Sequence, residues 1–142
     1  MKPLVKYKTI QAYRNHFEKV YCKGNIRTFD KIPVYFCKSD FKHCFYETKK
    51  SKDDTFSFKR AKRIDWIKET LEDQSADLRC GWLKKKNKID CKRRVAIVNN
   101  NYVVIILIGK KKDGSFKANF ITAFVADKSI KKILQMPKWV KK

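Results

Sequence analysis

The chain has 142 residues, of which 43% are hydrophobic and 13% aromatic, and its 36 Lys and Arg against 14 Asp and Glu give a formal charge of +22. This composition argues against intrinsic disorder, and the length fits one domain built around one core. The charge points to a polyanionic partner, with nucleic acid as the first candidate and an anionic membrane as the second. The alternative explanation is a lysine-rich composition with solvated surfaces.

The first third of the chain predicts a helix and a short strand. Apolar side chains recur at helical spacing over residues 9–22, and Gly24 suits the position after the helix end. Residues 32–37 predict a strand. Because Pro33 cannot donate a ladder hydrogen bond, the strand lies at a sheet edge or Pro33 stands at its start.

A short helix is expected over residues 40–47, with Ser39 as its N-cap. Phe41, Cys44 and Phe45 then face inward, while Lys42 and His43 lie toward the other side. The polar loop that follows, residues 47–54, is expected to be mobile because it has nothing to bury.

The clearest helical pattern covers residues 58–71, with an apolar stripe at Ala61, Ile64, Ile67 and Leu71. The first turns carry four basic side chains, Lys59, Arg60, Lys62 and Arg63. Cations at a helix N-terminus oppose the helix dipole, and a bound anion would remove the conflict. Alternatively, these long side chains simply reach solvent.

The last third of the chain predicts a three-stranded meander over residues 92–98, 102–110 and 116–125. The links contain three Asn residues and an Asp-Gly pair, which favour tight turns. The middle strand is apolar on both faces and β-branched, so it should be central. Thr122 interrupts one face of the last strand between Phe120 and Phe124, which makes it a candidate site residue.

The elements that flank the meander are weaker. A further strand is expected over residues 78–85, and a last helix over residues 129–136 with Ile130, Ile133 and Leu134 buried. Trp139 is expected to pack back on the body.

The predicted fold is α+β, with a central antiparallel sheet of about four strands that includes the meander over residues 92–125. Helices should pack mainly on one face and leave the other face, or its rim, for a basic binding surface. We expect one domain over residues 1–142, with an N-terminal helical extension at 1–30 and a core at 32–139.

The five cysteines include no CxxC pair, which favours a reduced, cytoplasmic protein. The candidate ligands of a zinc site are Cys37, His43, Cys44, Cys80 and Cys91. They lack the paired spacing of structural zinc sites, so neither a metal nor a cofactor is expected. No segment approaches the ~20 apolar residues of a membrane span, and the N-terminus lacks the apolar run of a signal peptide.

Catalytic motifs of the common hydrolases and nucleotide-binding proteins do not occur in this chain. The carboxylates do not cluster as two-metal nucleases require, and GxxxxGK[ST], GxGxxG and GxSxG motifs are missing. A basic surface with His, Thr and Tyr is compatible with RNA cleavage without a metal. RNA supplies its own nucleophile, the 2′-OH, and the enzyme adds a base, an acid and cations.

Four segments resemble the phage-type nuclease domains of the barnase–EndoU–colicin–RelE superfamily. They are FKHCFYE at residues 41–47, RAKRIDWIKETL at 60–71, FITAF at 120–124 and MPKW at 136–139. The resemblance covers the chain from about residue 32 onward, in the order of the family. It implies an α+β fold and metal-independent RNA cleavage, often by toxins.

The resemblance also implies roles for individual residues. His43 matches the helical His of the family and Thr122 the polar position of its last strand, while Arg60 and Arg63 match basic positions that open its long helix. A basic residue is expected on the first meander strand, where Lys92, Arg93 and Arg94 all qualify. The predicted catalytic residues are therefore His43, Arg60, Arg94 and Thr122. The predicted RNA-binding residues are Lys42, Lys59, Arg63, Lys92, Arg93 and Asn119.

The sequence thus predicts a metal-independent endoribonuclease that acts on tRNA or mRNA as a toxin or phage effector, with an acidic immunity or antitoxin protein as a further partner. Two other functions stay open. One is a non-catalytic RNA- or DNA-binding module, and the other a basic structural protein that binds acidic partners or membranes. In either case the candidate site residues would have structural roles. His43 would be a structural histidine, Trp66 a packing residue and Thr122 an ordinary strand residue.

Overall fold

Short helices and strands occupy the first half of the chain, and a sheet occupies the second half. The computed structural model describes residues 2–83 and 88–140, with side chains described for all of these except 82–83 and 88–93. In chain order the elements are α1 (Ile10–Phe17), β1 (Val34–Tyr35), α2 (Asp40–Phe45), β2 (Tyr46–Glu47), β3 (Thr55–Phe56), α3 (Phe58–Ala61), α4 (Ile64–Glu72), β4 (Asp77–Leu83), β5 (Lys88–Asn99), β6 (Tyr102–Lys110), β7 (Phe116–Val125) and α5 (Ile130–Leu134).

The main sheet has five strands in the order β1-β7-β6-β5-β4, and β2 pairs with β3 in a separate small sheet. The α+β class is confirmed. The expected count of about four antiparallel strands needs correction. Within the described residues the sheet is mixed, because β1 pairs in parallel with β7. The predicted strand over residues 32–37 contributes only Val34–Tyr35 to this pairing.

The meander forms as predicted at β6 and β7, and β5 begins earlier than expected, at Lys88. Its turns use the residues that favour a left-handed backbone, with φ of 57° at Asn100 and 88° at Gly114. The apolar β6 lies in the middle of the sheet, where Val103, Val104 and Ile106 are completely buried.

The large core lies on the sheet face that α1, α2 and α4 cover. Tyr13 and Phe17 of α1 are completely buried there. The helix continues to Tyr21 through a π-helical turn, Glu18–Cys22. The Phe17 ring contacts the rings of Phe41 and Phe45 of α2 at 5.8 and 5.9 Å. The N-terminal helix therefore belongs to the same core as the sheet.

The helix predicted for residues 58–71 is interrupted. It divides into α3 and α4 because Arg63 leaves the helical region, with φ −95° and ψ 20°. The predicted apolar stripe is confirmed, since its four residues are completely buried. A bound anion at this helix N-terminus stays a prediction, and the backbone offers few free N–H groups for it. The helix there is only four residues long, and the Arg60 N–H is already bonded to Ser57 Oγ.

Two further helix predictions need correction. The helix after Ser39 ends at Phe45, and the side chain of Ser39 makes no capping bond. Instead, Asp40 Oδ2 accepts a hydrogen bond from the Cys37 N–H. The last helix, α5, is shorter than predicted and none of its residues is buried. It packs Ile130 and Ile133 against a small cluster on the second sheet face, which leaves Leu134 exposed.

The strand predicted for residues 78–85 is β4, and residues 84 and 85 lie outside the described part of the chain. Cys80 on β4 is disulfide-bonded, whereas Cys22, Cys37 and Cys44 are free thiols. This differs from the expectation of a fully reduced chain. Trp139 packs back on the core as predicted, with 8% of its surface exposed.

Candidate functional site

A pocket of about 230 Å³ opens between the start of α3, the break before α4 and the end of β7. The residues that line it are Glu47, Lys59, Arg60, Arg63, Tyr102, Ala123, Phe124 and Val125. Three cations face one carboxylate, so this cationic pocket carries a net positive charge. Its geometry suits a small anion such as a phosphate group.

Arg60 is held in the wall of the cationic pocket by the strand that follows α2. Its Nη1 donates to the Tyr46 carbonyl oxygen at 3.3 Å, and its Nε lies 3.6 Å from Glu47 Oε1. Both side chains are about 40% exposed, so solvent weakens this ion pair. Arg60 therefore keeps N–H groups that can bind an incoming anion.

Arg63 occupies the break between α3 and α4. Its Nη1 donates to the Lys59 carbonyl oxygen at 2.5 Å, and the guanidinium lies 5.0 Å from the centre of the Trp66 ring. Its Nε is buried and has no hydrogen-bond acceptor among the described residues. A buried donor without an acceptor is unfavourable.

Trp66 packs against the guanidinium of Arg63. Its Nε1 donates to the Lys2 carbonyl oxygen at 2.7 Å, and its ring packs edge-on against Tyr102 at 5.4 Å. Trp66 is thus a packing residue that also fixes the guanidinium plane.

A bulge in β7 shapes the pocket wall. The register against β6 shifts between Ile105 and Ile106, which places Ala123 and Val125 on the same face as Phe120. Phe124 packs with the cluster on the second face. The prediction that Thr122 lies between two Phe residues on one face is therefore wrong, because the extra residue reverses the alternation.

Helix α2 packs against the part of β7 that β1 does not cover. The Cys44 thiol donates a hydrogen bond to the Ala123 carbonyl oxygen at 3.7 Å. Burial raises the pKa of Cys44 to about 12, so the sulfur stays protonated at neutral pH. Through Cys44, the helix that carries His43 is fixed to the strand that carries Thr122.

His43 projects from α2 toward the loop of residues 48–54 and is about half exposed. Its Nδ1 lies 3.1 Å from Asp53 Oδ2, and the Asp53 side chain is only 16% exposed. This carboxylate was missed by sequence reasoning, which treated the Asp53-Asp54 pair as part of a mobile loop. The Asp-Asp pair itself was the only local signal.

The loop is held together by Asp54. Its carboxylate accepts hydrogen bonds from the N–H groups of Lys49, Lys50 and Ser51 at 2.9–3.0 Å. These bonds hold the pKa of Asp54 well below its usual range. Asp53 itself adopts a left-handed φ of 52°. These hydrogen bonds close the loop into a turn that places Asp53 beside His43, and the mobility of the loop stays a prediction.

Arg94 and Asn119 lie elsewhere. Each of them is paired with Leu107 on the neighbouring strand β6. Their described neighbours along their own strands are buried in the main core, so their side chains point to the opposite sheet face, away from α1–α4. Arg94 covers Gly81, where an added Cβ would lie 2.4 Å from its Cγ. These two residues are not part of the cationic pocket.

The structure describes the side chains of some of the remaining predicted RNA-binding residues but not of others. Lys59 lines the pocket, and the ammonium of Lys42 lies 5.8 Å from the Tyr46 ring centre. The side chains of Lys92 and Arg93 lie outside the described residues. The structure thus brings Lys59, Arg60 and Arg63 together in one pocket, whose lining includes neither His43 nor Thr122.

Comparison with known proteins gave no match to a protein-family model, a curated protein or a solved structure. Among the described helices, none has the length and apolar character needed to cross a membrane. Over the same part of the chain, no three His, Cys, Asp or Glu side chains are grouped as metal ligands would be.

Proposed function

We propose that the protein binds RNA and cleaves it without a metal ion, with the cationic pocket as the phosphate site. The observation that carries this proposal is the meeting of Lys59, Arg60 and Arg63 in one pocket. With a formal charge of +22, the molecule favours a polyanion over an isolated small anion.

The proposed reaction begins with attack of the RNA 2′-OH on the adjacent phosphorus. The 5′ oxygen leaves, and the products are a 2′,3′-cyclic phosphate and a free 5′-OH. Arg60 and Arg63 stabilise the extra negative charge on the phosphate oxygens in the transition state. Thr122, which precedes the pocket residue Ala123 on β7, is the proposed hydroxyl donor.

His43 is the proposed general acid–base group. The Asp53 carboxylate lies 3.1 Å from Nδ1, where it orients the ring and leaves Nε2 to exchange a proton with the RNA. Glu47 in the pocket wall is four positions after His43, so their Cα atoms are at most about 14 Å apart. His43 can therefore reach the RNA that the pocket holds.

Cellular RNA, tRNA or mRNA, is the proposed substrate, and the cytoplasm is the proposed place of action because the substrate is there. This location rests on the substrate and not on the cysteines, since Cys80 is disulfide-bonded. An acidic immunity or antitoxin protein is the proposed inhibitor, because its charge would complement the basic surface. Membership of the barnase–EndoU–colicin–RelE superfamily is part of the same proposal.

The test is incubation of the purified protein with total RNA in excess EDTA, followed by analysis of the product ends. We expect cleavage that persists in EDTA and leaves 2′,3′-cyclic phosphates. The variant Arg60→Gln/Arg63→Gln should lose activity. The matched control Lys6→Gln/Lys8→Gln removes the same charge from exposed positions outside the pocket. Cleavage that EDTA abolishes and Mg²⁺ restores would contradict the proposal.

A non-catalytic RNA- or DNA-binding module is the second candidate. Two observations favour it: Glu47 partly neutralises the charge of Arg60, and His43 is half exposed. Both features also occur on solvated protein surfaces that have no catalytic role. Retention of RNA by the protein without any cleavage in the same assay would select this function.

A further inference from the structure

The break between α3 and α4 does not follow from the local sequence. Residues 58–72 contain neither Gly nor Pro, the residues at which helices usually bend or end. The two residues at the break, Lys62 and Arg63, are both good helix formers. An uninterrupted helix is therefore the locally favoured state, and the break depends on contacts with another part of the chain.

The backbone hydrogen bonds at the break identify that part of the chain. In an uninterrupted helix the Trp66 N–H would donate to the Lys62 oxygen. It donates instead to the Arg63 oxygen at 2.9 Å, and the Arg63 N–H donates to the Arg60 oxygen at 3.1 Å. The Lys62 oxygen accepts a hydrogen bond from the Val5 N–H at 2.8 Å. The N-terminal segment thus supplies the donor that the interrupted helix no longer provides.

Residues 2–5, which we call the N-terminal strap, make a second contact at the break. The Lys2 oxygen accepts from Trp66 Nε1 at 2.7 Å, and the Lys2 N–H donates to Glu69 Oε1 at 3.1 Å. Pro3 restricts Lys2 to an extended backbone, which lowers the entropy lost when this carbonyl is held in place. The strap therefore binds both the backbone of the break and the ring that packs on Arg63.

The N-terminal strap is itself fixed to the main core. The Val5 side chain packs against this core, and the Val5 oxygen accepts from the Tyr13 hydroxyl at 2.7 Å. Tyr13 belongs to α1 and is completely buried. Helix α1 thus holds Val5 where its N–H reaches the Lys62 oxygen.

The break decides where the Arg63 guanidinium lies. In an uninterrupted helix the Arg63 N–H would donate to the Lys59 oxygen. Because this N–H is turned to Arg60, the Lys59 oxygen is left to the side chain, and Arg63 Nη1 donates to it at 2.5 Å. With φ −95° and ψ 20°, Arg63 leaves the helical path, and its side chain lines the cationic pocket.

We propose that the N-terminal strap positions Arg63 for binding an RNA phosphate by holding the break between α3 and α4. Val5 and Trp66 are positioning residues, because they act on the RNA only through Arg63. Without the strap, the helix closes through Lys62 and Arg63, and the guanidinium leaves its place in the pocket. This inference rests on the proposed RNA-binding function and adds the part of the chain that aligns its phosphate site.

The first test deletes residues 2–5 and follows the carbon-13 chemical shift of the Arg63 Cα by NMR. We expect a shift toward the helical value, whereas a mere loss of packing would move the signal toward the random-coil value. The matched control, Lys2→Gln, removes the charge of the strap but keeps its backbone bonds, so its Arg63 signal should stay in place. An unchanged signal in the deletion variant, or a random-coil value in a chain that is otherwise folded, would overturn the proposal.

A second variant covers the case in which the deletion unfolds the whole chain. Trp66→Phe keeps an aromatic ring beside Arg63 but removes the bond to the Lys2 oxygen. The Arg63 signal should move in the same direction as in the deletion, by a smaller amount. If it does not move, the proposal is wrong.

The second test measures binding by fluorescence anisotropy with a labelled 2′-O-methyl oligonucleotide, which cannot be cleaved because its 2′ oxygen is blocked. The deletion and Arg63→Gln should each weaken binding about ten- to a hundredfold. Each should also lower the log–log salt slope by about 0.7, the value for one phosphate contact on a single strand. The two changes combined should weaken binding no further, since the strap acts through Arg63.

Lys2→Gln should bind this oligonucleotide almost as tightly as wild type. An equal loss in Lys2→Gln, additive losses in the combined variant, or wild-type affinity in the deletion would overturn the proposal. If Arg63→Gln itself binds like wild type, the phosphate site of the proposed function is wrong and this inference is wrong with it. Failure to cleave unmodified RNA, with these binding results intact, would contradict only the nuclease reaction.

Discussion

At the scale of single residues, the two histidines of the chain differ in their surroundings. His16 is bonded at both ring nitrogens, with Nδ1 3.0 Å from the Tyr7 hydroxyl and Nε2 2.8 Å from Asp65. His43 Nδ1 lies 3.1 Å from Asp53 Oδ2, and no described residue binds its Nε2. A histidine with one free nitrogen can exchange a proton with a ligand, whereas a doubly bonded one serves the fold.

We therefore expect His43→Gln to slow single-turnover RNA cleavage by roughly 10²–10⁴, the usual contribution of general acid–base catalysis. RNA affinity should change little, because one neutral ring adds little to so basic a surface. His43→Ala should recover part of its rate when imidazole is added. The matched control, His16→Gln, should lose stability but keep the cleavage rate of the folded protein. Cleavage by His43→Gln at the wild-type rate would make His43 a structural residue.

A positioning role for Asp53 is tested separately. Because Asp53 acts on RNA only through His43, Asp53→Asn should slow cleavage less than His43→Gln, on the order of 10–10³. The double variant should be no slower than His43→Gln alone, since the carboxylate has nothing to orient once the imidazole is gone. Additive losses in a double-mutant cycle would mean that Asp53 contributes independently of His43.

At the scale of elements, the loop of residues 48–54 is organised by one carboxylate, Asp54. Its pKa is lowered in the folded protein by backbone N–H bonds from Ser51, Lys49 and Lys50. An Asp whose folded pKa lies below the unfolded value of about 3.9 stabilises the fold above that pH, and this stabilisation is lost as the pH falls through the folded pKa.

Asp54→Asn should therefore lower the melting temperature at pH 7, and the difference from wild type should shrink steadily as the pH falls below about 4. Thermal unfolding from pH 7 down to pH 2 measures this. Asp127→Asn serves as the control, because it removes an exposed carboxylate that accepts a single hydrogen bond among the described residues, from Asn101 Nδ2. A difference that stays constant with pH would show that Asp54 acts through the shape of the loop and not through its charge.

At the scale of the whole molecule, the formal charge of +22 is spread over a chain of 142 residues. The basic side chains repel one another in the folded protein, and salt or a bound polyanion reduces this repulsion. The ion pairs among the described side chains are mostly partly exposed, so they offset little of it. The stability of the protein is thus coupled to the anions around it.

Raising NaCl from 10 to about 300 mM, which shortens the Debye length from ~30 Å toward ~6 Å, should raise the melting temperature. Lys6→Glu/Lys8→Glu/Lys128→Glu lowers the formal charge by six and should have a smaller salt dependence. Calorimetry of both proteins across the salt range tests this. An unchanged or larger salt dependence in the variant would contradict self-repulsion as the cause.

The sequence by itself determined the elements whose side chains repeat in a simple period. The apolar run at β6, the turn residues on either side of it and the buried stripe of α3 and α4 all follow from which residues avoid water. The same patterns gave the α+β class and singled out Lys59, Arg60 and Arg63 as basic residues at one place.

The tertiary structure alone decided how distant segments meet. The β7 bulge depends on its pairing with β6, the parallel addition of β1 depends on β7, and the His43–Asp53 contact depends on a closed loop. The pocket joins residues near position 60 to residues near position 124. Local patterns report the preference of each residue for water or for the core. Contacts between segments that lie far apart in sequence depend instead on the packing of the whole chain, which no local pattern contains.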